Sequence, residues 1–514
     1  MQKKQTILVV ASLLVVVLSV TLAYFTAQII GKGKDVTINS ADLKIIFTDS
    51  DGSISGSNIE PGKWNVTKTF TIENKSNETY KYNIVIQNLV NTFVTEGYLQ
   101  YKITSTNGGY NMTEFKDVPK SSAPKDKILA YSVVIPNGVT QSYTFEFKYA
   151  NDESVDQSDD MGKKLSGKLF ITEGTEQPTL LSQILKDNPT RSTRSNNNNG
   201  TNDFATPLTA TTTGTLFTST ESITGITTSP KEVYYYAGNT TNNWVKFGGF
   251  YWRIIRTNHD GSIRLLYVGT SHDTTTGNIG ERVFNTSQNS PKYVGYKYGE
   301  DTSLDTIRNN TTDSTIKTYI DTWYQNNLTN YTKYLSTSAV YCNDRSLGTG
   351  QTYSASSNFD FSSYYRMDYD TDGAKANPSY NCTDIRDAFS AENTSAKLTY
   401  PIGLMTADEI AFAGGVAFQT MNTPYAWFIS NSAGTQVSKS WWSLSPLYWN
   451  GSYASVWRWN SDYAFLSDIN IYFTNAVRPV ISLKSCIKYG TGDGSATNPY
   501  TILETSSDAR LCLS

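Results

Sequence analysis

Residues 441–483 read WWSLSPLYWNGSYASVWRWNSDYAFLSDINIYFTNAVRPVISL, and this stretch decides the fold class of the second half of the chain. Its short aromatic runs, separated by polar residues, predict short β-strands. No Lys, Glu, Gln or Met occurs between Ser443 and Leu483. Large aromatic side chains dominate protein interiors, so five tryptophans of the stretch are expected in the core. They are Trp441, Trp442, Trp449, Trp457 and Trp459.

Upstream of this stretch, strands and helices alternate. Residues 244–269, WVKFGGFYWRIIRTNHDGSIRLLYVG, predict a hairpin of two apolar runs joined by a tight primed turn at Asp260-Gly261. A first helix is predicted from apolar residues at helical spacing, which are Ile316, Tyr319, Ile320, Trp323 and Tyr324. A second helix is expected to begin at Thr406, where Glu409 completes a capping box. We therefore expect one α+β domain over residues 231–505 and a polar tail at 506–514.

The first half of the chain alternates apolar and polar residues with a period of two, which is typical of half-buried strands. About seven such strands predict a β-sandwich over residues 34–174. Its clearest runs are Tyr143, Phe145, Phe147 and Tyr149; Tyr80, Tyr82, Ile84 and Ile86; and Leu165, Leu169 and Ile171.

Thr, Ser and Asn dominate residues 175–230. Such a composition cannot bury enough apolar surface to fold alone, so we predict a linker. An exception is the short amphipathic turn of Leu180, Leu181, Ile184 and Leu185, which is expected to dock on the following domain.

The N-terminus predicts export. Lys3 and Lys4 precede an apolar run that extends from Ile7 to Phe25. This pattern over residues 1–30 fits either a signal peptide or an uncleaved membrane anchor. We therefore expect an extracellular protein that the N-terminal segment holds on the cytoplasmic membrane.

The numbers of cysteines, histidines and charged residues limit the functions that this chain is expected to have. In an exported protein, four cysteines point to disulfides and allow three pairings, of which we favour Cys342–Cys382. The pairing of Cys486 and Cys512 stays open. Two histidines leave little material for a zinc site or His-based catalysis, so we expect no metal, no cofactor and no enzyme activity. The net charge of −3 argues against nucleic acid as a partner.

The first 170 residues or so resemble the camelysin/TasA-like proteins that Gram-positive bacteria export. The resemblance rests on AYFTAQIIG, NSADLKIIF and IEPGKWNVTKTFTIEN. It implies a β-sandwich surface or matrix protein, and some members of that group build fibres.

The second half resembles an uncharacterised domain family of exported proteins from Gram-positive gut bacteria. FGGFYWRIIR, GLMTADEIAFAGG, WWSLSP, AVRPVISLKS and GDGSATNPYTI follow in one order. The WWSLSP segment and the Arg-Pro strand are similar to the C-type-lectin-like fold of formylglycine-generating-enzyme relatives. The fold class implied is mainly β, with a β-sandwich followed by an α+β, C-type-lectin-like domain.

The composition of residues 443–483 also resembles the variable regions of diversity-generating-retroelement target proteins, where randomised Asn codons cannot yield Lys, Glu, Gln, Met or Trp. A plain polar hairpin with aromatic packing remains the alternative. The resemblance implies that the tryptophans are a fixed scaffold and that the diversified, ligand-binding contacts fall between 447 and 474. These contacts are Leu447, Tyr448, Tyr453, Ser455, Arg458, Asp462, Tyr463, Phe465, Asp468, Tyr472 and Phe473.

Taken together, these patterns predict a cell-surface receptor or adhesin that binds a protein or glycan on another cell or host. The alternative is a TasA-like structural fibre or matrix subunit.

Overall fold

The computed structural model describes residues 36–38, 43–47, 53–55, 59–194, 204, 215–367, 377–421 and 426–504. Within them the chain is mainly β, as expected. It divides into two compact units, Met1–Gln177 and Pro178–Ser514. The predicted export segment at 1–30, the tail at 506–514 and Cys512 lie outside the described residues. No helix in the described part of the chain is long and apolar enough to span a membrane.

The first unit consists of two antiparallel sheets that share one hydrophobic core. One sheet has the strand order β1-β2-β4-β9-β6-β7 and the other β3-β10-β5-β8. The strands are β1 (Val36–Ile38), β2 (Leu43–Phe47), β3 (Ser53–Ser55), β4 (Asn65–Asn74), β5 (Tyr80–Asn91), β6 (Leu99–Ser105), β7 (Lys116–Asp117), β8 (Ser121–Ile135), β9 (Thr140–Tyr149) and β10 (Leu165–Glu173).

The period-two pattern places the core of the first unit correctly. Tyr143, Phe145 and Phe147 are buried on β9, and Tyr82 and Ile84 are buried on β5. The estimate of about seven strands was too low, because the described residues of this unit form ten, and several of these have only two or three residues. Strands this short carry too few alternations for the pattern to reveal them.

The second unit contains five helices and eighteen strands among its described residues. The helices are α1 (Leu180–Asp187), α2 (Leu304–Ile307), α3 (Thr315–Asn327), α4 (Ser362–Met367) and α5 (Ala407–Ala413). The strands are β11 (Arg191–Thr193), β12 (Thr215–Glu221), β13 (Lys231–Ala237), β14 (Trp244–Phe247), β15 (Phe250–Thr257), β16 (Ile263–Gly269), β17 (Glu281–Val283), β18 (Lys297–Tyr298), β19 (Thr312–Asp313), β20 (Tyr341–Cys342), β21 (Phe359–Asp360), β22 (Ala388–Phe389), β23 (Ile402–Leu404), β24 (Trp441–Trp449), β25 (Ala454–Asn460), β26 (Phe465–Asn470), β27 (Thr474–Ala476) and β28 (Pro479–Leu483).

Two large sheets organise the second unit. The eight-stranded sheet has the order β11-β12-β13-β15-β16-β28-β23, with β14 paired to β15. The six-stranded sheet has the order β17-β27-β24-β25-β26, with β21 paired to β24. One hydrophobic core contains residues of both sheets and of α1, α3 and α5.

The regular elements predicted from the sequence are present. Helix α3 carries the apolar stripe, and α5 begins with the Thr406–Glu409 capping box. Strands β15 and β16 form the predicted hairpin, but the prediction of a primed turn between them is wrong. The loop runs from Asn258 to Ser262, with Gly261 at φ 75° and without a positive φ at Asp260.

The prediction of a linker over 175–230 is wrong for the described part of that range. Strand β12 pairs along its whole length with β13, and α1 buries Leu180 and Ile184 in the core of the second unit. The docking expected of that amphipathic turn is therefore confirmed. Threonine is β-branched, so a Thr-rich segment suits a strand once a neighbouring strand supplies hydrogen bonds.

Cys342 and Cys382 form the favoured disulfide, with 5.8 Å between their Cα atoms. Cys382 is buried beside Ile223 and Val340, and its carbonyl accepts a hydrogen bond from the Thr224 amide. The disulfide thus links β20 to Cys382, whose backbone pairs with Ile223 in the segment that follows β12.

Replacing both cysteines with serine is expected to lower the free energy of unfolding of the second unit by about 2–4 kcal/mol, because the 40-residue separation makes the closed loop long. Urea denaturation of wild-type and variant protein measures the loss. Mass mapping of non-reduced peptides checks the pairing, and alkylation of both thiols without reductant would contradict it.

Candidate functional site

The site predicted from the sequence lies on β24, β25 and β26. These strands are antiparallel neighbours, and β26 is the edge strand of the six-stranded sheet. Near its start, β26 meets residues 416–421, where the Leu466 amide donates to the Val416 carbonyl. Because an edge strand has a neighbour on one side only, the side chains around it can remain open to solvent.

The five tryptophans expected in the core are buried there: Trp441, Trp442, Trp449, Trp457 and Trp459. The indole of Trp442 donates to the Arg282 carbonyl at 2.7 Å, and that of Trp457 to the Ser363 hydroxyl at 3.1 Å. Trp459 packs edge-on against Phe428, with 5.0 Å between ring centroids. These side chains therefore support the sheet from within.

Two of the eleven predicted contact residues are not accessible. Leu447 and Ser455 are fully buried, so the prediction that they contact a partner is wrong. The other nine are accessible: Tyr448, Tyr453, Arg458 and Phe465 partly, and Asp462, Tyr463, Asp468, Tyr472 and Phe473 as exposed residues.

The accessible residues do not share one face of the sheet. Trp457 pairs with Asp468, whereas Arg458 pairs with Ser467. Because neighbouring residues of a strand point to opposite sides, Asp468 and Arg458 lie on opposite sides of the sheet. The predicted residues therefore surround the β26 edge instead of forming a flat surface. We call this region the β26 edge: the nine accessible residues together with Phe418.

Phe418 belongs to the site although the sequence did not indicate it. Its ring lies 5.6 Å from Trp457 and 6.3 Å from Phe465, and Tyr463 stacks on Phe465 at 5.6 Å. Phe418 is 45% exposed and Tyr463 is 61% exposed. The available signal was a single aromatic residue in the short run 414–421 after α5, outside residues 441–483.

Exposed aromatic rings also mark the other end of β26. Tyr472 and Phe473 follow the strand and are 54% and 59% exposed. Phe418, Tyr463, Tyr472 and Phe473 are thus four of the ten exposed large apolar side chains in the described part of the chain. These four rings therefore lie close to the two ends of β26.

Two polar groups of the β26 edge are held by the chain itself. The Tyr448 hydroxyl donates to Asp468 Oδ2 at 3.0 Å, and burial together with this carboxylate raises the pKa of Tyr448. Arg458 donates to the Ser467 hydroxyl at 3.2 Å and to the Asn475 side-chain oxygen at 3.0 Å. Burial lowers the pKa of the Arg458 guanidinium, although Asp462 and Asp468 oppose the change.

An open depression of about 530 Å³ lies beside β17, at the opposite edge of the same sheet. Most of its polar lining is already engaged within the chain. The Asn285 amide donates to the Tyr293 carbonyl, and the Tyr319 hydroxyl to the Ile279 carbonyl. The depression therefore offers a ligand fewer free partners than its composition indicates.

Charged residues inside the second unit form a paired network instead of a reactive cluster. Arg256 on β15 contacts Glu221 and Glu409 at 2.8 Å each, and Arg264 on β16 contacts Glu409 at 2.6 Å. Burial alone would raise the pKa of Glu221, but Arg256 and a hydrogen bond with His259 hold it at about 2. The imidazole of His259 lies 3.5 Å from Glu221, and this side chain is 8% exposed.

In the described residues, no group of three or more His, Cys, Asp and Glu side chains is arranged to hold a metal ion. Comparisons of the chain with protein-family models, with curated proteins and with solved structures find no match.

Proposed function

We propose that this chain is a cell-surface ligand-binding protein, a receptor or adhesin, whose second unit binds a partner through the β26 edge. The proposal is carried by the exposed aromatic rings of Phe418, Tyr463, Tyr472 and Phe473. Soluble proteins seldom concentrate exposed apolar side chains unless the patch has a binding function.

The construction of the edge also supports binding. Tyrosine and phenylalanine supply contact area at a small cost in conformational entropy, and aromatic residues are frequent binding hot spots. Phe418 packs on the buried Trp457, with 5.6 Å between their ring centroids. A rigid support of this kind holds a binding surface in one geometry before the partner arrives.

The proposal includes the finer architecture and the location. A β-sandwich in the first unit would act as a spacer, a C-type-lectin-like second unit would carry the site, and residues 1–30 would export the chain or hold it on the membrane. We propose binding instead of catalysis because the buried carboxylates Glu221 and Glu409 neutralise arginines.

Replacing Tyr463 and Tyr472 with alanine is expected to weaken capture of the partner at least tenfold. Both side chains are more than half exposed, so the free energy of unfolding should change by no more than about 0.5 kcal/mol. Binding is measured on a printed array of purified surface proteins and glycans, and stability by thermal unfolding.

The matched control is the Val94→Ala, Met161→Ala variant, which removes exposed apolar side chains from the first unit. It should retain the wild-type array pattern. The proposal is contradicted if the tyrosine variant binds the array as strongly as the wild type does. It is also contradicted if the purified protein forms filaments whether or not these tyrosines are present.

A further inference from the structure

The solvent-facing charge of the β26 edge is acidic. Residues 441–483 contain only four charged side chains, Arg458, Asp462, Asp468 and Arg478. Arg478 is buried and donates to the carbonyls of Tyr267 and Phe428. Arg458 is only partly accessible and turns its donors to Ser467 and Asn475, whereas Asp462 and Asp468 are exposed. A partner therefore meets two carboxylates and no exposed cation from this segment.

Each exposed carboxylate is associated with a tyrosine, Asp468 through a hydrogen bond and Asp462 as its neighbour in the chain. Asp462 lies in the turn 461–464 directly before Tyr463, which stacks on Phe465. At the other end, Asp468 accepts the hydrogen bond of Tyr448, whose ring lies 6.3 Å from that of Tyr453. The edge thus has one carboxylate that accepts a hydrogen bond from a tyrosine and a second that directly precedes a tyrosine in the chain.

A carboxylate next to an aromatic ring suits a positively charged side chain. A guanidinium can donate two parallel hydrogen bonds to the carboxylate while its plane stacks on the ring. An anionic partner would be repelled by both carboxylates.

We propose that the partner of the β26 edge is a protein segment that presents two arginine or lysine side chains, spaced to reach Asp462 and Asp468 together. This inference rests on the proposed function and adds the chemistry of the partner.

The test uses a fluorescent peptide with two arginines four residues apart, and its analogue with both arginines replaced by neutral citrulline. Binding to the full chain is measured by fluorescence anisotropy at low salt. The arginine peptide is expected to bind at least tenfold more tightly than the citrulline peptide. It should lose at least tenfold in affinity in the Asp462→Asn, Asp468→Asn variant and weaken with added salt. Glu153→Gln, which removes an exposed carboxylate from the first unit, is the matched control and should bind as the wild type does.

The outcomes separate the inference from the proposed function. If both peptides bind equally and Tyr463→Ala abolishes this binding, the inference of a cationic partner is wrong. The β26 edge then remains the binding site. If neither the asparagine variant nor Tyr463→Ala weakens binding of the arginine peptide, the inference and the proposed function are both wrong. If neither peptide binds while the array shows a tyrosine-dependent glycan, the partner is a glycan and the inference is wrong.

Discussion

Replacing Trp459 with alanine is expected to lower the free energy of unfolding of the second unit by about 3–5 kcal/mol, because the loss of a core aromatic leaves a cavity. Trp459 is 1% exposed, packs on Phe428 and lies close to Gly415, where a Cβ atom would stand 3.1 Å from the indole. Trp442→Ala should cost a similar amount, since it also removes the hydrogen bond to the Arg282 carbonyl. Urea denaturation followed by circular dichroism measures both variants.

Tyr463→Ala is the control for the tryptophan variants because it removes an exposed ring from the same sheet. It should change the free energy of unfolding by no more than about 0.5 kcal/mol. The assignment fails if the tryptophan variants stay folded and lose only partner binding. That result would make the indoles the ligand platform and the tyrosines the packing.

Glu409→Gln is expected to cost the second unit about 3–5 kcal/mol, because it leaves two buried arginines without their shared carboxylate. Glu409 accepts from Arg256 and Arg264, and its other oxygen accepts from the Thr406 amide at the start of α5. Urea denaturation at neutral pH measures the loss. Glu281→Gln removes a half-exposed partner of Lys439 and should cost less than about 1 kcal/mol. Equal effects of the two substitutions would show that the buried network contributes little.

The same network is expected to make the stability of the wild-type protein fall at acidic pH. The pKa of Glu221 is lowered from 4.5 to about 2, and that of Glu409 is lowered as well. A carboxylate with a lowered pKa contributes stability that is complete above its unfolded pKa and is lost as the pH falls through the folded pKa. Denaturation midpoints measured from pH 6 to pH 2 should therefore fall mainly below about pH 4.5, and less steeply in Glu409→Gln.

Local patterns in the sequence predict the elements whose burial is set by their own periodicity. Helix α3 and the buried tyrosines and phenylalanines of β9 belong to this class, because one repeating spacing determines which side chains point inward. The capping box at Thr406 depends on residues three positions apart, so it is also visible locally.

The candidate site depends on contacts that local patterns do not contain. The register of β24 and β25 shifts on both sides of Pro446, so the alternation of sides cannot be followed along β24 from the sequence. Leu447 and Ser455 are buried, and Phe418 reaches the edge from a part of the chain distant in sequence. Sequence reasoning therefore identified a segment with nine accessible residues but not the direction of each side chain.

The burial of Leu447 and Ser455 limits how many versions of this surface the fold can present. A segment randomised at all eleven positions would often place a charged or bulky residue at one of these two, and such chains would fold poorly. Selection would then act twice, first on whether a variant folds and only afterwards on what it recognises. Any usable repertoire would come from the nine accessible positions, while 447 and 455 would keep small or apolar residues in the chains that survive.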